Sequence, residues 1–208
     1  MSFALRVTED RLDAGARLTL PASPRVIYVR EGTVGVPATA KDIPPGGAWH
    51  GVGPAALTTE APAVILRFEL AASGQAPERA LLEHAIELDR ARAWLMRCDR
   101  VDFGPGDVAL PHGHKGGGIR CLLAGTLEVT VGDRPPRLMR PGDAWFESGR
   151  EPVLARSSAD APTAFVRVSI LPREIRGQSS IVYVDPADAA RGRPRRYTVY
   201  VDEPIDLP

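Results

Sequence analysis

The sequence predicts an all-β protein built from two similar units, and two observations carry that expectation. Twenty glycines and twenty prolines among 208 residues fall between short Val, Ile and Leu runs rather than in one tract, which is the punctuation of many short strands in a sandwich or barrel. The chain also repeats itself, and self-similarity sets architecture before any motif is considered. At 22.4 kDa it is long enough for one sizeable domain or two small ones, so a buried core needs no cross-links.

Along the chain, Val26-Ile27-Tyr28-Val29, Val64-Ile65-Leu66-Arg67-Phe68, Leu127-Glu128-Val129-Thr130-Val131 and Phe165-Val166-Arg167-Val168-Ser169-Ile170 are β-prone runs bounded by Gly, Pro or Asp. The first of these, continued through Gly32-Thr33, matches Ile119-Arg120-Cys121-Leu122-Leu123-Ala124-Gly125-Thr126 in its apolar strand and Gly-Thr turn. Pro45-Gly46-Gly47-Ala48-Trp49 answers Pro141-Gly142-Asp143-Ala144-Trp145, and Ala61-Pro62 answers Ala161-Pro162. The offset grows from 93 (Val26 to Ile119) to 96 (Pro45 to Pro141) to 100 (Ala61 to Ala161), so small insertions in the second copy's turns are enough.

One stretch reads as helix. Pro77 suits a first turn, and Leu81, Leu82, Ala85, Ile86 and Leu88 follow among Glu and Arg. Residues 1–73 are therefore expected to form the first β-unit, 74–92 a connecting helix that carries His84, and 93–172 the second β-unit. Residues 173–208 read as a C-terminal β arm, with strand-like runs at Ile181-Val182-Tyr183-Val184 and Tyr197-Thr198-Val199-Tyr200-Val201. Such an arm can add to an exposed sheet edge of its own barrel or of a partner subunit. Arg191, Arg193, Arg195 and Arg196, set among Gly and Pro, read as a solvated loop, with an anion site as the alternative.

Composition excludes several classes. Lys plus Arg and Asp plus Glu both number 26 and the net charge is zero, so no overall basic field attracts nucleic acid. Two cysteines, Cys98 and Cys121, do not make a disulfide scaffold, and the first ten residues carry no apolar signal core, so the expected location is the cytoplasm. No uncharged apolar run approaches the roughly 20 residues that cross a bilayer.

The chemistry concentrates at Gly106-Asp107-Val108-Ala109-Leu110-Pro111-His112-Gly113-His114-Lys115-Gly116-Gly117-Gly118. On a strand, residues two apart share a face, so His112 and His114 can offer both imidazoles to one ion. The alternative is a surface loop with solvated histidines. The first copy has Leu18-Thr19-Leu20-Pro21-Ala22-Ser23-Pro24 at this place and no histidine pair; its His50 stands alone.

This segment resembles the first motif of the cupin superfamily: glycine, five residues, His-x-His, three or four residues, glutamate, six residues, glycine. Gly106, His112, His114 and Gly125 fall in register, and Arg140-Pro141-Gly142-Asp143 resembles the opening of the second motif. With the duplication, the resemblance covers most of residues 15 to 172 and implies two tandem cupin-like jelly-roll barrels, with a homodimer as the family's common assembly. The motif's glutamate position is Gly118, and the histidine of the second motif falls near Val153.

Two family ligands are thus replaced, and a metal site needs a further donor. Glu147 is the candidate, on the strand that the resemblance places across the barrel and sharing parity with Trp145 and Asp143. Arg120 shares a face with position 118, which points inward in the family. A buried guanidinium there needs Glu147, Glu128 or a substrate carboxylate as partner, and bidentate carboxylate recognition suits arginine. Cys121, of opposite parity, reads as packing.

Two functions follow as expectations. In the first, His112, His114 and Glu147 hold Fe, Mn, Ni or Zn. Arg120 and Trp145 then bind a small, carboxylate-bearing substrate, with Glu147 and Arg120 catalytic in a dioxygenase-like oxidation, or in lyase or isomerase chemistry. In the second, the lost ligands signal a non-catalytic barrel that senses or stores a small molecule.

Overall fold

The structure is a computed structural model that describes residues 2–72, 80–191 and 195–208. It forms two compact units, one made by the chain up to Met96 together with Glu203–Pro208, the other by Arg97–Asp202. Among the described residues, no helix is long and apolar enough to cross a membrane.

The first unit contains β1 (Ser2–Leu12), β2 (Arg17–Leu20), β3 (Arg25–Glu31), β4 (Val34–Val36), β5 (Lys41–Ile43), β6 (Ala48–Gly51), β7 (Ala55–Thr58), β8 (Ala63–Ala72) and β9 (Ala80–Glu87). Its sheets have the orders β6-β3-β8-β1-β9 and β2-β7-β4-β5. Between them lies an apolar cluster that includes Leu20, Ile27, Val29, Val34, Leu57 and Ile65. Alternate residues of β3 and β8 supply it, as the two-residue period of a strand requires.

The second unit repeats this plan. Its strands are β10 (Trp94–Phe103), β11 (Val108–His114), β12 (Gly118–Ala124), β13 (Leu127–Val131), β14 (Arg137–Met139), β15 (Ala144–Glu147), β16 (Val153–Ser157), β17 (Thr163–Pro172), β18 (Ile181–Tyr183) and β19 (Arg196–Ile205). The order β15-β12-β17-β10-β19 matches β6-β3-β8-β1-β9 strand for strand, and β14-β13-β16-β11 matches β5-β4-β7-β2. Among the described residues, only β18 has no counterpart. It pairs antiparallel with the histidine strand, setting His112 opposite Tyr183 and His114 opposite Ile181, so the C-terminal arm holds β11 from one side while β16 holds it from the other.

The repeated Gly-Thr turns have one physical cause. Gly32 and Gly125 have φ of +73° and +71°, and a Cβ on either would strike the carbonyl of Pro62 or Pro162. Glycine alone accepts both constraints.

The expected connecting helix is not formed where the structure describes it. Residues Ala80–Glu87 make β9, which pairs antiparallel with β1, Phe3 opposite Ile86 and Leu5 opposite His84. His84 is therefore an exposed strand residue, and Pro77 lies outside the described residues. The Ala, Leu and Glu content favours helix locally, but β1 offers a free row of backbone groups, and pairing with it outweighs a weak local propensity.

Candidate functional site

Inward positions of the second unit change from apolar to charged along each strand. Phe103 and Val101 give way to Asp99 and Arg97 on β10, Phe165 to Arg167 on β17, Leu122 to Arg120 on β12, and Trp145 to Glu147 on β15. The apolar ends form one cluster with Leu127, Val129, Val153 and Ala155. Register then aligns the polar ends, because Arg120 lies opposite both Trp145 and Arg167, and Gly118 opposite both Glu147 and Ser169.

On β11, a bulge between Ala109 and His112 shifts the pairing with β16, and it contains Pro111, which has no N–H for the ladder. The bulge turns Ala109, His112 and His114 to one side, against the cluster and the charged layer. In it, the Leu110 carbonyl lies 2.7 Å from His112 Nδ1.

Arginine–carboxylate pairs fill the charged layer. Arg120 is 1% exposed; its Nη1 donates to the Gly118 carbonyl at 2.6 Å, and its Nη2 lies 2.7 Å from Glu147 Oε2 without an N–H bond aimed at that oxygen. Trp145 Nε1 donates to the other oxygen of Glu147 at 2.8 Å. Arg167 grips Asp99 with two parallel bonds, Nε to Oδ1 at 2.9 Å and Nη2 to Oδ2 at 2.5 Å. Arg97 holds Asp202 in the same bidentate way and donates to the carbonyls of Gln178 and Ile175.

These contacts settle the protonation states. Burial alone would raise the Glu147 carboxyl, but Arg120, His114 and Trp145 outweigh it and hold the group well below the usual carboxylate range. Burial lowers Arg120 to about 10, against the pull of Glu147, so it stays charged at neutral pH. Burial also acts to lower Arg167, but Asp99 reverses this and raises it.

Burial lowers both histidines, His114 to about 3, so both are neutral. Because a carbonyl only accepts, His112 Nδ1 carries its proton and Nε2 is left with a lone pair. His114 Nε2 lies 3.4 Å from Glu147 Oε2, which places its proton on Nε2, and its buried Nδ1 has no hydrogen-bond partner. The two rings meet edge to face, centroids 4.9 Å apart.

Two spaces adjoin this layer. One, of about 20 Å³, is lined by His112, His114, Arg120, Trp145, Glu147 and Arg167, room for about one water molecule. The other, of about 330 Å³, is lined by Arg97, Asp99, Arg167, Gln178, Ser180 and Tyr197 among others. Arg167 and Tyr197 border both.

The sequence-predicted residues His112, His114, Arg120, Trp145 and Glu147 are thus brought together, and Arg120 takes Glu147 as its partner. They do not fit a metal ion as they stand. Among the described residues no group of three or more His, Cys, Asp and Glu side chains is placed to hold one. Only His112 has the arrangement of a ligating histidine, with its second nitrogen bonded to a carbonyl. His114 lacks such a partner on Nδ1, and Glu147 is committed to Arg120 and Trp145.

Sequence reasoning passed over Arg97, Asp99, Arg167 and Tyr197. For Arg97, Asp99 and Arg167 the signal was a charge on the inward face of a strand rich in apolar residues. It also placed Arg195 in a solvated loop, whereas that side chain is 7% exposed; Arg193 lies outside the described residues.

A scan against family models finds no match, and no curated protein matches the sequence. Solved structures do match in fold. Oxalate decarboxylase from Lactobacillus farciminis, in a formate complex, aligns with a TM-score of 0.67 at 12% identity over 90% of this chain and 81% of that one. The 11S allergen of Cocos nucifera gives 0.63 at 13% identity over 91% and 85%. A cupin 2 conserved barrel domain protein from Leptotrichia buccalis gives 0.53 at 14% identity over 81% and 83%. With the doubled strand order, these likenesses identify the fold of this chain as that of the cupin superfamily, in two barrels.

Proposed function

We propose that the second barrel binds a small, carboxylate-bearing organic molecule without a metal ion, in the 330 Å³ chamber, with the acid group against Arg167. One observation carries this reading. Arg167 is the arginine that borders both spaces, and Asp99 takes only its Nε and Nη2. Its Nη1 lies 3.5 Å from His114 Nε2, whose proton faces Glu147, so that nitrogen accepts nothing from it. Nη1 is therefore the cationic donor left for a ligand whose acid group reaches from the chamber toward the 20 Å³ space that Arg167 and His114 both line, and charge-assisted bonds to a carboxylate are what a guanidinium forms best.

The chamber is at the small end of ligand sites, which suits an acid of few carbon atoms. The similarly folded oxalate decarboxylase was solved with formate, which supports that ligand class. In the adjoining 20 Å³ space, neutral His112 is a proton acceptor at Nε2, Glu147 holds the Nε2 proton of His114, and Arg120 keeps Glu147 ionised.

Calorimetric titration of the chelator-treated protein with formate, acetate and small hydroxy acids tests this. The expected result is saturable binding that weakens in Arg167→Lys, which keeps charge for Asp99 but loses the fork. No binding by the metal-free protein, or equal affinity in the variant, overturns it.

A metal-dependent enzyme of oxidoreductase type is the second reading. His114 Nε2 and Glu147 Oε2 are 3.4 Å apart and the His112 ring meets that of His114, so these three residues would hold such an ion if Arg120 released Glu147 and His114 gave up its Nε2 proton. Near-stoichiometric iron, manganese, nickel or zinc in the untagged protein, lost in His112→Ala, would establish this reading in place of the first.

A further inference from the structure

We propose a second anion site in this unit, at Arg195, entered from an outer cavity distinct from the chamber. Among the described residues, four arginines of the second unit are buried: Arg97, Arg120, Arg167 and Arg195. Each of the first three faces a carboxylate, Asp202, Glu147 and Asp99 in turn.

Arg195 does not. Among the described residues its partners are neutral: Nη1 donates to the Val108 carbonyl at 3.0 Å, Nε to the Tyr197 hydroxyl at 3.2 Å, and the guanidinium stands 5.5 Å above the Phe103 ring. A buried cation held only by neutral groups is costly unless a counter-charge joins it. Carbonyl and ring contacts orient the fork, but they supply no charge.

A cavity of about 280 Å³ opens beside it, lined by Arg195, Arg191, Tyr183, Leu110, Val108 and Asp107 among others. It shares none of the chamber's lining residues. The acid on its wall is in use, since Asp107 Oδ2 accepts the Gly104 N–H at 2.7 Å. Arg191, exposed and loosely paired with Asp188 at 3.3 Å, adds a second cation. Two guanidinium groups in one cavity, one of them buried and without a carboxylate, suit a small oxyanion, a carboxylate or a phosphate group, bound to the fork of Arg195.

Isothermal titration of the full chain with inorganic phosphate and, separately, with acetate tests the site. Saturable binding of at least one anion is expected, and the tighter of the two identifies the natural group. Arg195→Leu should weaken that binding by about tenfold or more, and Arg191→Ala by about threefold. Arg191 touches only the outer cavity, so its loss separates this site from the chamber even if Arg195→Leu fails to fold. No saturable binding of either anion, or unchanged affinity in Arg191→Ala, overturns the proposal.

Discussion

The two barrels share one strand order and differ in where they bury charge. At the rung where the first barrel pairs Arg25 with Glu69 and Gly51, the second has Gly118, Ser169 and Glu147. Arg25 is wholly buried; it bonds Glu69 at 3.2 Å, the Gly53 carbonyl at 2.8 Å and the Pro21 carbonyl. Glu69 also receives Arg6 and Arg67.

One rung further in, the first barrel is nearly apolar, with Ile27 opposite Trp49 and Arg67; the second puts Arg120 opposite Trp145 and Arg167. The second barrel thus moves the arginine one layer deeper, leaves glycine and serine in place of Arg25 and Glu69, and keeps the carboxylate of the pair, Glu147, at the outer rung. Arg97 has no counterpart of Glu69 to hold and turns to Asp202 and the carbonyls that line the chamber. The two barrels thus differ by a charge moved inward, with the ladder unchanged.

Reverting that move is the strongest way to break the comparison. Glu147→Gly installs the first barrel's residue alone and strands Arg120, so it should cost about 3–5 kcal/mol. The double variant Arg120→Ile with Glu147→Gly installs the first barrel's residues at both positions and should recover most of that loss, because removing both partners of a buried pair is often nearly neutral. Urea denaturation of the three proteins checks this. A double variant as unstable as the single one would show that the pair acts as packing rather than as balanced charge.

A smaller effect is expected from filling the outer rung. A Cβ on Gly118 would lie 2.5 Å from the Val168 carbonyl oxygen and 2.9 Å from Ser169 Cα, and backbone yields little. Gly118→Ala should cost about 1–3 kcal/mol and weaken carboxylate binding in the chamber by moving β17, which carries Arg167. Wild-type stability and affinity in this variant would show that the rung has room to spare.

Much of this site was legible in the sequence, for a definite reason. Strand parity is local, so the shared face of His112 and His114, the inward aim of Arg120 and the company of Glu147 with Trp145 all follow from counting by two. What was not legible depends on partners distant in the chain. The β9 segment has helix-forming side chains and becomes a strand only because β1 lies beside it. Arg195 stands among Gly and Pro and reads as solvated, yet Phe103 and Val108, far back in the sequence, bury it. The replaced motif glutamate also has a physical account, because Gly118 sits too close to β17 for any side chain.

Histidines set the response to acid: His112 and His114 in the second barrel, and in the first His50, which partial burial also lowers. His114 is held neutral by burial down to about pH 3, whereas an unfolded histidine takes a proton near pH 6.5. Between these values the unfolded chain binds the extra proton, so stability must fall as pH falls, by up to about 1.4 kcal/mol per pH unit for this one group. Above that window the contribution is fully present. His112 shifts in the same direction, whereas the contribution of Glu147 is lost only below the ordinary carboxylate range. Chemical denaturation of metal-free protein between pH 7 and 5 should show the slope, and His114→Gln should flatten it. An unaltered slope in the variant would mean that His114 is protonated in the folded state.

The smallest expected effect sharpens the rule about depth. Arg134 and Glu151 form an ion pair at 2.7 Å on the surface of the second barrel, with side chains 66% and 41% exposed. That is the same length as Arg120 to Glu147, in a different solvent. Water and salt screen the exposed pair, and ordering two long side chains offsets most of the attraction. Arg134→Ala should therefore change stability by no more than about 0.5 kcal/mol, and added salt should erase even that. If it matched the loss from Glu147→Gly, distance rather than burial would set the strength of these pairs, and the contrast between the two barrels would lose its physical basis.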